Sequence, residues 1–88
     1  MKSLVIRLNV AEQVKRFVNL VDKYDMPMDI RSGRYLVNAK SILGLFSLDL
    51  SRPLQLEIDD TQVKSDIMKK LLQDLSRFAA DKSSMEEK

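Results

Sequence analysis

The 88-residue sequence predicts an α+β domain, a four-stranded antiparallel sheet with three helices on one face, in the order β-α-β-β-α-β-α. Three observations carry this. Four short segments alternate apolar and polar residues with a period of two, so each has one face to bury. Three others repeat apolar residues at three- and four-residue intervals, which marks one stripe of a helix. The connections between them are short and hold both Pro residues, Gly33 and many of the Asn, Asp and Ser residues that end regular structure. A sheet covered on one side buries all seven apolar faces in one core and leaves its other side to water.

Leu4, Ile6 and Leu8 alternate with Val5 and Arg7 and predict the first strand. Asn9 followed by Glu12 fits a capping box, in which the Glu side chain reaches back to the cap amide. Val10, Val14, Phe17, Val18, Val21 and Tyr24 then recur at helical spacing, and the helix is expected to end near Lys23. Met28 and Ile30 predict the second strand, with Pro27 at its entrance, where no ladder bond is lost. Ser32-Gly33 signals a turn, and Tyr35 and Val37 resume the alternation as a hairpin.

Ser41 is a natural N-cap for a short helix from Ile42 to about Leu48. Leu45 and Leu48 would face inward, and Ile42, Leu43 and Phe46 outward. Arg52-Pro53 breaks the chain before a fourth strand carrying Leu54, Leu56 and Ile58. Asp59-Asp60-Thr61 offers caps and negative charge for the start of the longest helix. Its stripe is Val63, Ile67, Leu71, Leu75 and Phe78, with Met68 and Leu72 alongside. Residues 1–80 read as a single domain, and the polar, aperiodic segment 81–88 reads as a disordered tail. Val5, Arg7, Asp29, Arg31, Gln55 and Glu57 fall on the open face of the sheet.

Composition narrows the chemistry. There is no cysteine, hence no disulfide and no thiolate metal site, and there is no histidine. Zinc would be left with carboxylates alone, and imidazole acid–base catalysis is excluded for these residues. No metal and no cofactor are expected. The net charge of +2 says little about partners, and Lys and Arg are scattered with few aromatics among them, unlike a nucleic-acid surface. The apolar run at the start is too short for a signal peptide or a membrane span, so a cytoplasmic protein is expected.

The run Asn38-Ala39-Lys40-Ser41-Ile42-Leu43-Gly44-Leu45-Phe46-Ser47-Leu48 closely resembles the segment around the regulatory serine of HPr, the phosphocarrier family of the phosphoenolpyruvate:sugar phosphotransferase system. Asp22-Lys23-Tyr24-Asp25 is similar to the end of that family's first helix, and the spacing between the two segments fits without a gap. The resemblance implies an open-faced β-sandwich with the same element order. It also brings out a departure. The family carries its phosphoryl group on a histidine at the start of helix one, followed by Ala-Arg-Pro, where this chain has Val10-Ala11-Glu12-Gln13. Valine has no nucleophile, Glu12 reverses the charge at the arginine position, and the preceding loop is shorter by several residues. Asp49 stands where the family usually has glycine.

What the resemblance implies is therefore a non-catalytic HPr-like protein, not an enzyme and not a competent phosphocarrier. It would act by protein–protein binding in the regulation of carbon and sugar metabolism. Ser41 reads two ways: as a helix cap, or as the acceptor of a regulatory phosphate from a serine kinase. Ile42, Leu43 and Phe46, with Lys40 and Arg16 nearby, would form a docking patch for a transcriptional regulator or a phosphotransferase-system enzyme. The same patch would allow a weak homodimer of an otherwise monomeric protein. No nucleic acid or membrane is expected as partner. The alternatives are an adaptor or scaffold that keeps only the fold, and a small nucleic-acid-binding module using the open sheet face. That face lacks the aromatics such binding needs. Lys15, Arg16 and Lys23 also read as a plain solvated helix face, and Met26 and Met28 as packing residues.

Overall fold

The computed structural model describes residues 2–79, so the expected tail at 81–88 lies outside the described residues. Strands β1 (Lys2–Ile6), β2 (Met28–Ser32), β3 (Tyr35–Asn38) and β4 (Leu54–Ile58) form one antiparallel sheet in the order β1-β4-β2-β3. Helices α1 (Ala11–Val21), α2 (Ile42–Phe46) and α3 (Ser65–Leu75) cover one side, and α3 continues into a 3-10 turn over Ser76–Phe78. The predicted α+β architecture is the one observed.

The register explains the two faces. Leu4 opposes Leu56, and Leu56 opposes Ile30, which opposes Val37, so one apolar row crosses all four strands on the helix side. The next row, Val5, Gln55, Arg31 and Leu36, faces solvent. There Arg31 donates to Glu57 at 2.8 Å, a pairing that raises the guanidinium's already high pKa. The core joins Ile6, Leu8, Ile30, Leu54, Leu56 and Ile58 to Val14, Phe17 and Val21 of α1, Leu45 of α2, and Leu71 and Leu75 of α3. Each such side chain stabilises the fold by about 1.5–3 kcal/mol on leaving water. Among the described residues, every buried side chain is apolar. Phe17 and Phe78 meet edge to face, with ring centroids 5.6 Å apart, which ties α1 to the end of α3.

The element ends differ from expectation for local reasons. The cap of α1 is Val10, 55% exposed, and not Asn9; Val10 leaves the helical stripe. Its side chain cannot accept a bond, so the reciprocal capping pair is absent. Gln13 supplies the one useful half: its Oε1 accepts from the amides of Asn9 (2.7 Å) and Val10 (3.3 Å). Glu12 instead pairs with Arg16 one turn on, at 3.3 Å. The helix stops at Val21, two residues before Lys23.

The hairpin turn is Gly33-Arg34, with Ser32 opposite Tyr35. Gly33 alone has φ of +60°, which gives the first-position glycine of a type II′ turn. Tyr35 is exposed because β3 is an edge strand and the helix layer does not reach its turn end. Helix α2 ends at Phe46 and not near Leu48. Helix α3 begins after Lys64, several residues later than the acidic stretch suggests. Asp59 is spent earlier: its Oδ1 accepts from the amide and hydroxyl of Thr61, which hold its carboxyl below the ordinary aspartate value. With the later start, Met68, Leu71 and Leu75 face the core while Ile67 is 43% exposed, and Phe78 is buried from the 3-10 turn.

Candidate functional site

Helix α2 is short, and its neighbours hold it. Ser41 caps it: Oγ accepts from the Gly44 amide at 3.1 Å. Gly44 has no room for a side chain without a push, because a Cβ there would sit 3.2 Å from Ser41 Oγ and 3.3 Å from the Val37 Cβ. That close approach lets the helix lie against β3. Leu45 and Leu48 are buried, as expected. Leu43 is 81% exposed and Phe46 42% exposed, so two large apolar side chains stand at the surface of one five-residue helix. Ile42 behaves differently from expectation: it is partly buried and packs against the core.

The two basic residues grouped with this patch are committed elsewhere. The Lys40 ammonium donates to the Tyr24 carbonyl at 2.5 Å, and the Lys40 amide donates to Asn38 Oδ1 at 2.8 Å. Its side chain therefore reaches the carbonyl-rich C-terminal end of α1 and neutralises partial charge there. Arg16, besides pairing with Glu12, lines a groove between α1 and α3. The signal for that groove was present in sequence: Arg16, Asn19, Leu20 and Lys23 follow the i, i+3, i+4, i+7 spacing of a single helical face. Its opposite wall comes from Asp74, Arg77 and Phe78.

Tyr24 joins the helices. Its hydroxyl donates to Asp74 Oδ2 of α3 at 2.8 Å while its carbonyl takes the Lys40 bond from the entrance to α2. Burial, and next the bond to anionic Asp74, push the phenol above its ordinary pKa. Ser41, beside Lys40, thus lies toward the C-terminal end of α1. Val10 caps the other end, an eleven-residue helix away, about 16 Å at 1.5 Å per residue. Among the described residues no carboxylate cluster could hold a metal ion, and no helix is long and apolar enough to cross a membrane.

No protein-family model matches the chain, and no curated protein sequence does. Solved structures do match. HPr-C-His from Thermoanaerobacter tengcongensis is 28% identical, with a TM-score of 0.64, over 85% of this chain and 90% of that one. The phosphocarrier protein HPr from Bacillus anthracis str. Ames is 22% identical, with a TM-score of 0.62, over 89% of this chain and 93% of that one, a likeness of fold. Nearly whole-length superposition of the same sheet and the same three helices, together with the sequence run through Ser41, leads to one assignment: the chain is an HPr-like protein.

Proposed function

We propose that this chain is a phosphotransferase-related docking protein that binds partners through α2 and does not relay a phosphoryl group through histidine. The observation that carries the reading is the combination of an HPr-like fold with a sequence that contains no histidine. The cap of α1, where the resemblance puts the carrier group, is Val10, with Glu12 in the first turn. A carboxylate beside that helix end opposes a phosphate dianion. Leu43 and Phe46, exposed together on a short helix, supply what a partner site needs, a small apolar anchor pair in a polar surround.

Ser41 is the modification site of this reading. It is partly exposed, and a phosphate there would find the free amides of the first turn. Because the Lys40 ammonium is held by Tyr24, those amides would carry most of the stabilisation. A dianion two residues before Leu43 would change which partner α2 accepts.

Incubation with phosphoenolpyruvate and the first enzyme of the phosphotransferase system tests the carrier half. No acid-labile adduct is expected, and one would overturn it. Treatment with an HPr-type serine kinase followed by mass mapping tests the other half. Modification at Ser41 supports it; an unmodified Ser41 under conditions that phosphorylate an authentic HPr leaves the residue as a cap alone.

A further inference from the structure

We infer that the groove between α1 and α3 is a binding site for a small phosphate ester that also carries hydroxyl groups. Nothing in the proposed docking function depends on it: the groove lies between α1 and α3, and the docking reading rests on Leu43 and Phe46 of α2.

The groove encloses about 410 Å³, within the range of sites for small ligands. Its charge is lopsided. Arg16, Lys23 and Arg77 line it, against one carboxylate, that of Asp74. The Tyr24 hydroxyl already occupies Oδ2 of Asp74. Among the described residues Arg16 pairs with Glu12 alone, at 3.3 Å, with both side chains about two-thirds exposed, so the pair is weak and Arg16 can turn toward a ligand. Two guanidinium groups and an ammonium line one concavity, and their charge and N–H donors suit a phosphate, which takes paired N–H donors from arginine. The nearly buried Phe78 ring closes the base and gives an apolar surface for a carbon skeleton. The remaining Asp74 oxygen can accept from a ligand hydroxyl, which is why an ester with hydroxyls fits better than inorganic phosphate.

The groove also has a reason to keep its shape. The Phe17–Phe78 contact and the Tyr24–Asp74 bond fix α1 against α3 on both sides of it. A ligand would meet walls that are already in place, and the ordering cost falls on the cationic side chains alone.

The test is an amide-resolved NMR titration of the full chain with glycerol 3-phosphate, inorganic phosphate and glycerol at constant ionic strength. Glycerol 3-phosphate should give saturable shifts at Arg16, Lys23 and Arg77, and glycerol none. Arg77→Gln and Arg16→Gln, both at exposed positions, should each weaken binding about tenfold, the loss of one charge-assisted contact. Arg52→Gln, outside the groove, should leave it unchanged. Shifts that grow linearly without saturating, or equal weakening by Arg52→Gln, would show a diffuse response to charge and overturn the site. Equal affinity for inorganic phosphate would overturn the assignment of an ester.

Discussion

Phe46 and Leu45 are adjacent in sequence and opposite in consequence. Leu45 is fully buried between α1, β3 and the core, and its truncation should cost about 2–5 kcal/mol of stability. Phe46 is 42% exposed, and Phe46→Ala should cost about 1 kcal/mol or less. Urea melts of the two variants compare them directly. Unfolding of the Phe46 variant at the same urea concentration as the Leu45 variant would place Phe46 in the core and remove the docking surface. The helical period made this pair legible in sequence, because a five-residue helix has room for one inward leucine before the next turn. The period could not show that Ile42 would fold down at the helix start, where the chain arrives from β3 close to the core. Nor could it show where Lys40 and Arg16 would reach, because a long flexible side chain is placed by its tertiary partners, here the Tyr24 carbonyl and the α3 wall.

At the scale of the element, turns and caps decide where regular structure begins. Gly33 has φ of +60° and open space around its α-carbon, so Gly33→Ala tests conformation alone. It should lower stability by about 1 kcal/mol through left-handed strain and leave the fold intact by circular dichroism. An unchanged melting midpoint would mean that the turn relaxes to another type. The strands were legible because alternation is set by the pleat, and Leu54, Leu56 and Ile58 are all buried as their spacing requires. The helix starts were less so. Asn9 and Asp59 are both good caps in sequence, yet Gln13 takes over at α1 and Asp59 is used in a bend with Thr61. Short polar side chains serve either purpose, and the choice depends on where the following apolar residues must land.

For the molecule as a whole, Tyr24 is the point where all three helices meet. Its hydroxyl bonds to α3 and its carbonyl receives the residue that precedes α2. Because the folded state holds the phenol above its ordinary pKa of about 10, the bond contributes fully below that value. It is lost as pH rises through the higher folded value, where the folded state binds the proton that the unfolded chain has released. Stability should therefore decline on the alkaline side, and Tyr24→Phe should flatten that decline. Chemical melts at a series of pH values up to about 11 would show it, and equal slopes for both proteins would assign the decline to other groups.

The position of β4 in the sheet has a further consequence, in time. It lies between β1 and β2 and pairs with both. The β2–β3 hairpin closes over a two-residue turn and can form as soon as it is made. β1 is made first and has to wait: Ile6 has no strand partner until Leu54 has been added to the chain. At a synthesis rate of about 5–20 residues per second, that interval lasts about 2–10 s. Through all of it Leu4, Ile6 and Leu8 form an apolar segment with an unsatisfied edge on a nascent chain. The arrival of one strand at the ribosome's exit then completes the sheet on both sides at once.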